Sequence, residues 1–209
     1  MTETGTTTLV IMGVSGSGKT TIARELVERL GWTFAEGDDF HPPANVEKMR
    51  SGQPLDDEAR RSWLGSIAAW IGEREAAGEN AIVTCSALKR GFRDLLRDGH
   101  PSVLFVHVDV SRDILRKRLG SRKGHYMPAS LLDSQLATLE PLQADEPGFT
   151  VPGDEPPDEV ADRVVRELRT LSRDRPRVGD EPGSVPDAPG VPPGARFSCQ
   201  NDTTREELP

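Results

Sequence analysis

Gly13-Val14-Ser15-Gly16-Ser17-Gly18-Lys19-Thr20 follows an apolar run and opens an amphipathic one. Residues of these types at this spacing hold phosphate. The glycines permit positive φ and bare backbone N–H groups that can converge on anionic oxygens. A helix starting near Lys19 adds the positive end of its dipole. The Lys19 ammonium reaches the β- and γ-phosphates of a nucleoside triphosphate, and the Thr20 hydroxyl can ligate Mg²⁺. The residues expected at the nucleotide are therefore Gly13, Val14, Ser15, Gly16, Ser17, Gly18, Lys19, Thr20 and Thr21. The plain alternative is a glycine-rich turn that binds nothing. Lys and Thr in register between a strand and a helix argue against it.

A second set of chemical groups follows in "WTFAEGDDFHPP". If this segment stays extended through Asp38, Glu36 and Asp38 share one face, because residues two apart on a strand point the same way. Ligands of open α/β sheets bind beyond the carboxyl ends of the strands, where both this pair and the glycine-rich turn would lie. Asp38 is then placed to accept the proton of an attacking hydroxyl, and Glu36 to hold a Mg²⁺-bound water. Gly37 between them is expected to leave room for a substrate. The competing role for Asp38 or Asp39 is to cap the next helix. A phosphate holder facing a carboxylate is a kinase arrangement.

A switch NTPase is the rival from another class. It requires an Asn-Lys-x-Asp guanine motif, which the chain lacks. Asp145-Glu146-Pro147-Gly148 fits D-x-x-G, but in a late, proline-containing loop rather than after a central strand.

"RKRLGSRKGHYMP" concentrates Arg116, Lys117, Arg118, Arg122, Lys123 and His125. Arg118 and Arg122 are four apart and share a helix face. The bland reading is a solvated face. A glycine-containing break follows at once, as in a hinged flap that brings arginines to the γ-phosphate and excludes water. Arg118 is expected along the adenine or phosphates, and Arg122 over the γ-phosphate.

The elements that must position these groups alternate. "TTLVIMG", "WTFAE", "NAIVTCSAL", "SVLFVHVDV" and "GFTVPG" read as strands. "KTTIARELVERLG" puts Ile22, Leu26 and Leu30 at helical spacing and stops at Gly31. Further helices are expected at "PANVEKMRSG", "LDDEARRSWLGSIAAWIGEREAAG", "RGFRDLLRDG", "SRDILRKRLGSR", about 129–139, and "PDEVADRVVRELRTL". Such alternation predicts an α/β fold: a parallel sheet of about five strands with helices on both faces. Trp63, Trp70 and Phe105 read as core. Residues 172–209 hold seven prolines and four glycines and read as a flexible tail behind a kinase domain at 1–171.

The chain has 209 residues and net charge −8, from 26 basic and 34 acidic residues. An acidic surface attracts neither nucleic acid nor an anionic membrane. Two cysteines, Cys85 and Cys199, do not make a disulfide framework. No apolar run is long enough to span a bilayer, and a reduced, cytoplasmic enzyme is expected.

With these residues in hand, the chain resembles the gluconokinases, relatives of the shikimate and adenylate kinases. The resemblance covers about 8–171 and rests on "GVSGSGKTT", "EGDDFHPPANVEKMRSGQPLDDEARRSWL", "CSALKRGFRDLLR" and "RKGHYMPASLLDSQLATLE". The first motif is generic; the other three in combination are specific. Shikimate kinases carry a glycine triplet where this chain has "CSALK". The resemblance implies the P-loop kinase fold with a helical lid near 120–140, and often a homodimer. It implies ATP, Mg²⁺ and transfer of the γ-phosphate to the 6-hydroxyl of D-gluconate. By the same match Asp38 contacts the substrate hydroxyl and His41 sits at the mouth of its site. A bidentate Arg suits the gluconate carboxylate and Lys or His its polyol; Arg60 is the best Arg candidate, and Lys89 could reach either substrate or phosphate. Arg60 could instead pair with Asp56, and Arg50 and Arg93 read as surface charges.

Overall fold

A computed structural model of the chain describes residues 5–53, 55–121 and 130–174. Five strands, β1 (Thr8–Met12), β2 (Thr33–Ala35), β3 (Ala81–Cys85), β4 (Val103–Asp109) and β5 (Gly148–Pro152), form one sheet in the order β2-β3-β1-β4-β5. Every pairing is parallel. The helices are α1 (Lys19–Leu30), α2 (Pro43–Arg50), α3 (Asp57–Ala76), α4 (Arg90–Arg97), α5 (Arg112–Ser121), α6 (Ser130–Thr138) and α7 (Pro157–Asp174).

Central β1 explains the layering. Its side chains alternate between the two sheet faces, and all five residues are buried. Leu9 and Ile11 join a core with Ile22 and Leu26 of α1 and Val160 and Val164 of α7. Val10 and Met12 join the opposite core, with Leu64, Ile67 and Ile71 of α3 and Phe92 and Leu96 of α4. Burying each such side chain contributes about 1.5–3 kcal/mol, so the two-sided apolar strand is what forces helices onto both faces.

The helix ends match their chemistry. Asp56 caps α3 by accepting the Ala59 N–H at 2.8 Å, with Asp57 and Glu58 in the first turn. α1 differs: its N-cap is Gly18, without a side-chain cap and with no acid in the first turn. The end of α1 that faces the glycine-rich turn thus sets no carboxylate of its own first turn against its positive dipole.

Two boundaries depart from the sequence reading. β2 stops at Ala35, and residues Gly37–Phe40 form a 3₁₀ turn. α7 runs on to Asp174, past the boundary expected at 171. Residues 175–209 of the expected tail, and residues 122–129 of the expected lid, lie outside the described residues.

Candidate active site

At the carboxyl ends of β1, β2 and β3 lies a cavity of about 500 Å³. Its walls bring together Ser15, Gly16, Gly18, Lys19, Thr20 and Thr21 from the turn after β1, Glu36, Asp38 and His41 from the segment after β2, and Arg60 and Trp63 from α3. Thr84, Cys85, Ser86, Ala87 and Leu88 supply the wall at the end of β3. The two strand tips singled out in the sequence therefore face one space.

The glycine-rich turn has the expected geometry. Gly13, Gly16 and Gly18 all have positive φ, at 141°, 85° and 97°. The Lys19 ammonium donates to the Val14 carbonyl at 3.1 Å, so it lies folded along the turn. The Ser15 N–H, one of the cradle donors, is bonded at 2.7 Å to Oε1 of Gln135 on α6. Gln135 also lines the cavity and was not singled out in the sequence. Nothing in its local pattern marks it, because its role depends on α6 folding back over the turn.

A smaller space of about 260 Å³ lies beside Gly16, Ser17, Gly18, Thr21 and Ile22, and Arg118, Gly153, Glu155 and Pro157 complete its lining. Arg118 donates to the Ser17 carbonyl at 3.3 Å and to the Gly153 carbonyl at 2.9 Å. The guanidinium is thus fixed beside the cradle. Arg122, Lys123 and His125 lie outside the described residues.

The acidic pair is built differently from the expectation. The extended run ends before Asp38, so Glu36 and Asp38 do not share a strand face; the 3₁₀ turn brings both to the cavity instead. Neither Asp38 nor Asp39 caps α2, whose N-cap is Pro42 without a side-chain bond. Gly37 does not make room for a substrate. It is buried against β3, and a Cβ there would run into the Thr84 carbonyl oxygen. Its N–H donates to Thr84 Oγ1 at 3.1 Å, and its carbonyl accepts the Trp63 indole N–H at 2.7 Å. The Thr84 hydroxyl in turn donates to the Glu36 carboxylate. Leaving the sheet ladder at Gly37 is compensated by these two side chains.

Trp63 belongs to the core, as expected, and also to the cavity wall. The His41 ring stacks on it, with centroids 4.2 Å apart and planes at 18°. Burial is the main influence that lowers the His41 pKa; Asp38 opposes it and Arg60 reinforces it. The ring is thereby biased towards its neutral form, and its Nδ1 has no hydrogen-bond partner among the described residues. Burial likewise pushes the Cys85 thiol up to about 12, so it is a core group rather than a nucleophile.

The remaining cations divide. Arg60 lines the cavity and donates to the Leu55 carbonyl at 3.1 Å, while Asp56 turns instead to the α3 cap and to Lys48. Lys89 is not on the cavity wall; it reaches Asp57 at 3.4 Å and lies over the Phe92 ring. Arg50 is an exposed charge, as read. Arg93 is not. It is fully buried, paired with Glu146 at 2.5 and 2.8 Å. It also donates to the carbonyls of Ala87, Leu88, Glu140 and Pro141. Asp145 pairs with Arg90. Both acids of the D-x-x-G match are thus structural.

Residues 9–142 match the AAA domain family. A gluconokinase from Gluconobacter oxydans is 53% identical over 161 residues, covering 77% of this chain and 90% of that protein. The crystal structure of a sugar kinase from a Janibacter species superposes with a TM-score of 0.75 at 50% identity, covering 78% of this chain and 95% of that one. A gluconokinase structure from Sinorhizobium meliloti gives 0.71 at 41% identity, covering 81% and 95%.

Proposed function

The chain belongs to the gluconokinase family of P-loop kinases, and on that premise we propose that it transfers the γ-phosphate of ATP to the 6-hydroxyl of D-gluconate. The observation that carries the reading is the single cavity shared by the Lys19 turn and the Asp38 turn. A donor phosphate and an acceptor alcohol held in these two walls meet inside it.

The gluconate oxygen attacks the γ-phosphorus and forms the new P–O bond. The bond from that phosphorus to the β–γ bridging oxygen breaks, and its electron pair leaves with ADP. Asp38 accepts the hydroxyl proton. Lys19 and the turn's N–H groups offset charge on the phosphate oxygens, in a site where fixed dipoles need no reorganisation. Arg118 flanks the nucleotide. Arg122 has the charge-offsetting role on the chemistry of its basic run alone.

For the acceptor, Arg60 is the cation on the cavity wall suited to a carboxylate, and His41 offers a neutral ring nitrogen to the polyol. Lys89, held by Asp57, takes a supporting place at the rim rather than a direct one.

Mg²⁺ fits the donor set. Among the described residues no three His, Cys, Asp or Glu side chains form a metal cage. Hard oxygen donors at Thr20 and Glu36 suit an ion held mostly by phosphate and water. When bound, it neutralises charge on the β- and γ-phosphate oxygens.

ADP release with gluconate, shikimate, other sugar acids, nucleoside monophosphates and water as acceptors tests the reading. Turnover with gluconate above all others is expected. Equal ADP release with water alone would overturn it in favour of a nucleotide switch, and preference for another hydroxy acid would replace gluconate.

A further inference from the structure

Thr84 is a buried hydroxyl, 1% exposed, at the tip of β3. No phosphate or acceptor chemistry calls for it directly. Its oxygen accepts the Gly37 N–H at 3.1 Å, and its one proton is committed to the Glu36 carboxylate. A hydroxyl has one proton to give. The Gly37 N–H approaches as a donor, so the proton is directed to Glu36. The direction of this chain is therefore fixed: backbone to hydroxyl to carboxylate.

Two consequences follow. One Glu36 oxygen is held, and the other has no hydrogen-bond partner among the described residues. The same hydroxyl also anchors the turn at the residue before Asp38. A threonine on β3 thus sets both acids at once, from a strand whose own residues carry no charge.

We propose that Thr84 is a positioning residue for phosphoryl transfer, acting through Glu36 on the metal-bound water and through Gly37 on Asp38. The proposal rests on the gluconate kinase reading above for its rate measurements. Outer partners that orient a metal-side carboxylate cost roughly 10- to 100-fold in affinity or activity when removed.

Thr84→Val replaces the hydroxyl with a methyl of similar size, and Thr84→Ser keeps the oxygen. Two measurements are made on the full chain. One is gluconate-dependent kcat with KM for gluconate. The other is binding of a non-hydrolysable ATP analogue by calorimetry across a Mg²⁺ series, which needs no acceptor. Thr84→Val is expected to lower kcat roughly 10-fold or more and to raise the Mg²⁺ needed for tight analogue binding, with KM moved less than about twofold. Thr84→Ser is expected to recover most of both.

Introducing Thr84→Val into Glu36→Gln separates positioning from packing. If Thr84 acts through Glu36, the Mg²⁺ effect of the second change disappears in that background. The same loss in both backgrounds overturns the proposal, as does a folded Thr84→Val with wild-type Mg²⁺ response. If Thr84→Val does not fold, Thr84→Ser decides: wild-type Mg²⁺ response supports the proposal, and a response lost despite the retained hydroxyl overturns it. Failure of gluconate turnover by the wild type would remove the acceptor assignment while leaving the analogue-binding test intact.

Discussion

The Trp63 indole N–H donates to the Gly37 carbonyl at 2.7 Å, so α3, which carries Arg60, also holds the turn that carries Asp38. The helix that lines the cavity and the acid-bearing turn are one mechanical unit. Trp63→Phe keeps an aromatic face for His41 but removes the donor, leaving a buried carbonyl unpaired. That costs about 1–3 kcal/mol. The expected result is a lower melting temperature and a reduced kcat with unchanged affinity for an ATP analogue. Unchanged kcat would show that the turn holds its shape without this bond.

Gln135 places its side-chain oxygen on the Ser15 N–H, where a phosphate oxygen would sit. Gln135→Ala vacates the donor and is expected to leave ATP affinity within about twofold. Gln135→Glu puts a carboxylate against incoming phosphate. At about 4 Å in an open, hydrated site the repulsion is of order 1 kcal/mol, about fivefold weaker ATP binding. Calorimetry with the ATP analogue reads both; equal affinities in the two variants would contradict the competition.

Arg93 and Glu146 form the buried ion pair that ties the loop after β3 to the segment after α6. Burial alone would raise the Glu146 pKa, but hydrogen bonds from Arg93 and the Gln143 N–H, with the charges of Arg93 and Arg90, hold it below the ordinary 4.5. A depressed folded-state pKa means stability that is present above the unfolded value and lost as pH falls through the folded one. Arg93→Met leaves a buried carboxylate without its cation and is expected to cost about 3–5 kcal/mol at pH 7. In the variant, burial raises the Glu146 pKa, so the carboxyl takes up a proton on folding. The gap from wild type should therefore shrink as pH falls towards 4.5. Urea unfolding across pH measures it, and a gap that stays constant would contradict the assignment to Glu146.

The parts of this arrangement that were legible are those encoded locally. The apolar runs of β1 and β3 announce a sheet buried on both faces, and the glycine-rich turn announces its own backbone. The sequence puts Glu36 and Asp38 on an extended strand, and the structure puts them on a turn. What bends it is contact with Thr84 and Trp63, 47 and 26 residues away from Gly37. Arg93 looked like a surface charge because a buried cation is recognisable only with its partner, and Glu146 lies 53 residues on. Lys89 looked like a ligand because its position at a strand end is correct; that it turns to Asp57 depends on where α3 packs.

The proposed proton-accepting role of Asp38 rests on Asp38 lining the cavity from a turn held at Gly37. Asp38→Asn preserves shape and hydrogen bonding but not basicity. A fall in kcat of roughly 10²–10⁴-fold is expected, with ATP-analogue affinity little changed. A variant that lost nucleotide binding but kept its turnover rate would contradict that role.

The most direct measurement is a crystal structure of the closed complex with gluconate and a non-hydrolysable ATP analogue. The expected result is the gluconate 6-hydroxyl between the γ-phosphate and Asp38, with a carboxylate oxygen within about 2.6–3.2 Å of that hydroxyl. A closed complex with Asp38 out of hydrogen-bond reach, even through one water, and another base beside the hydroxyl would contradict the account.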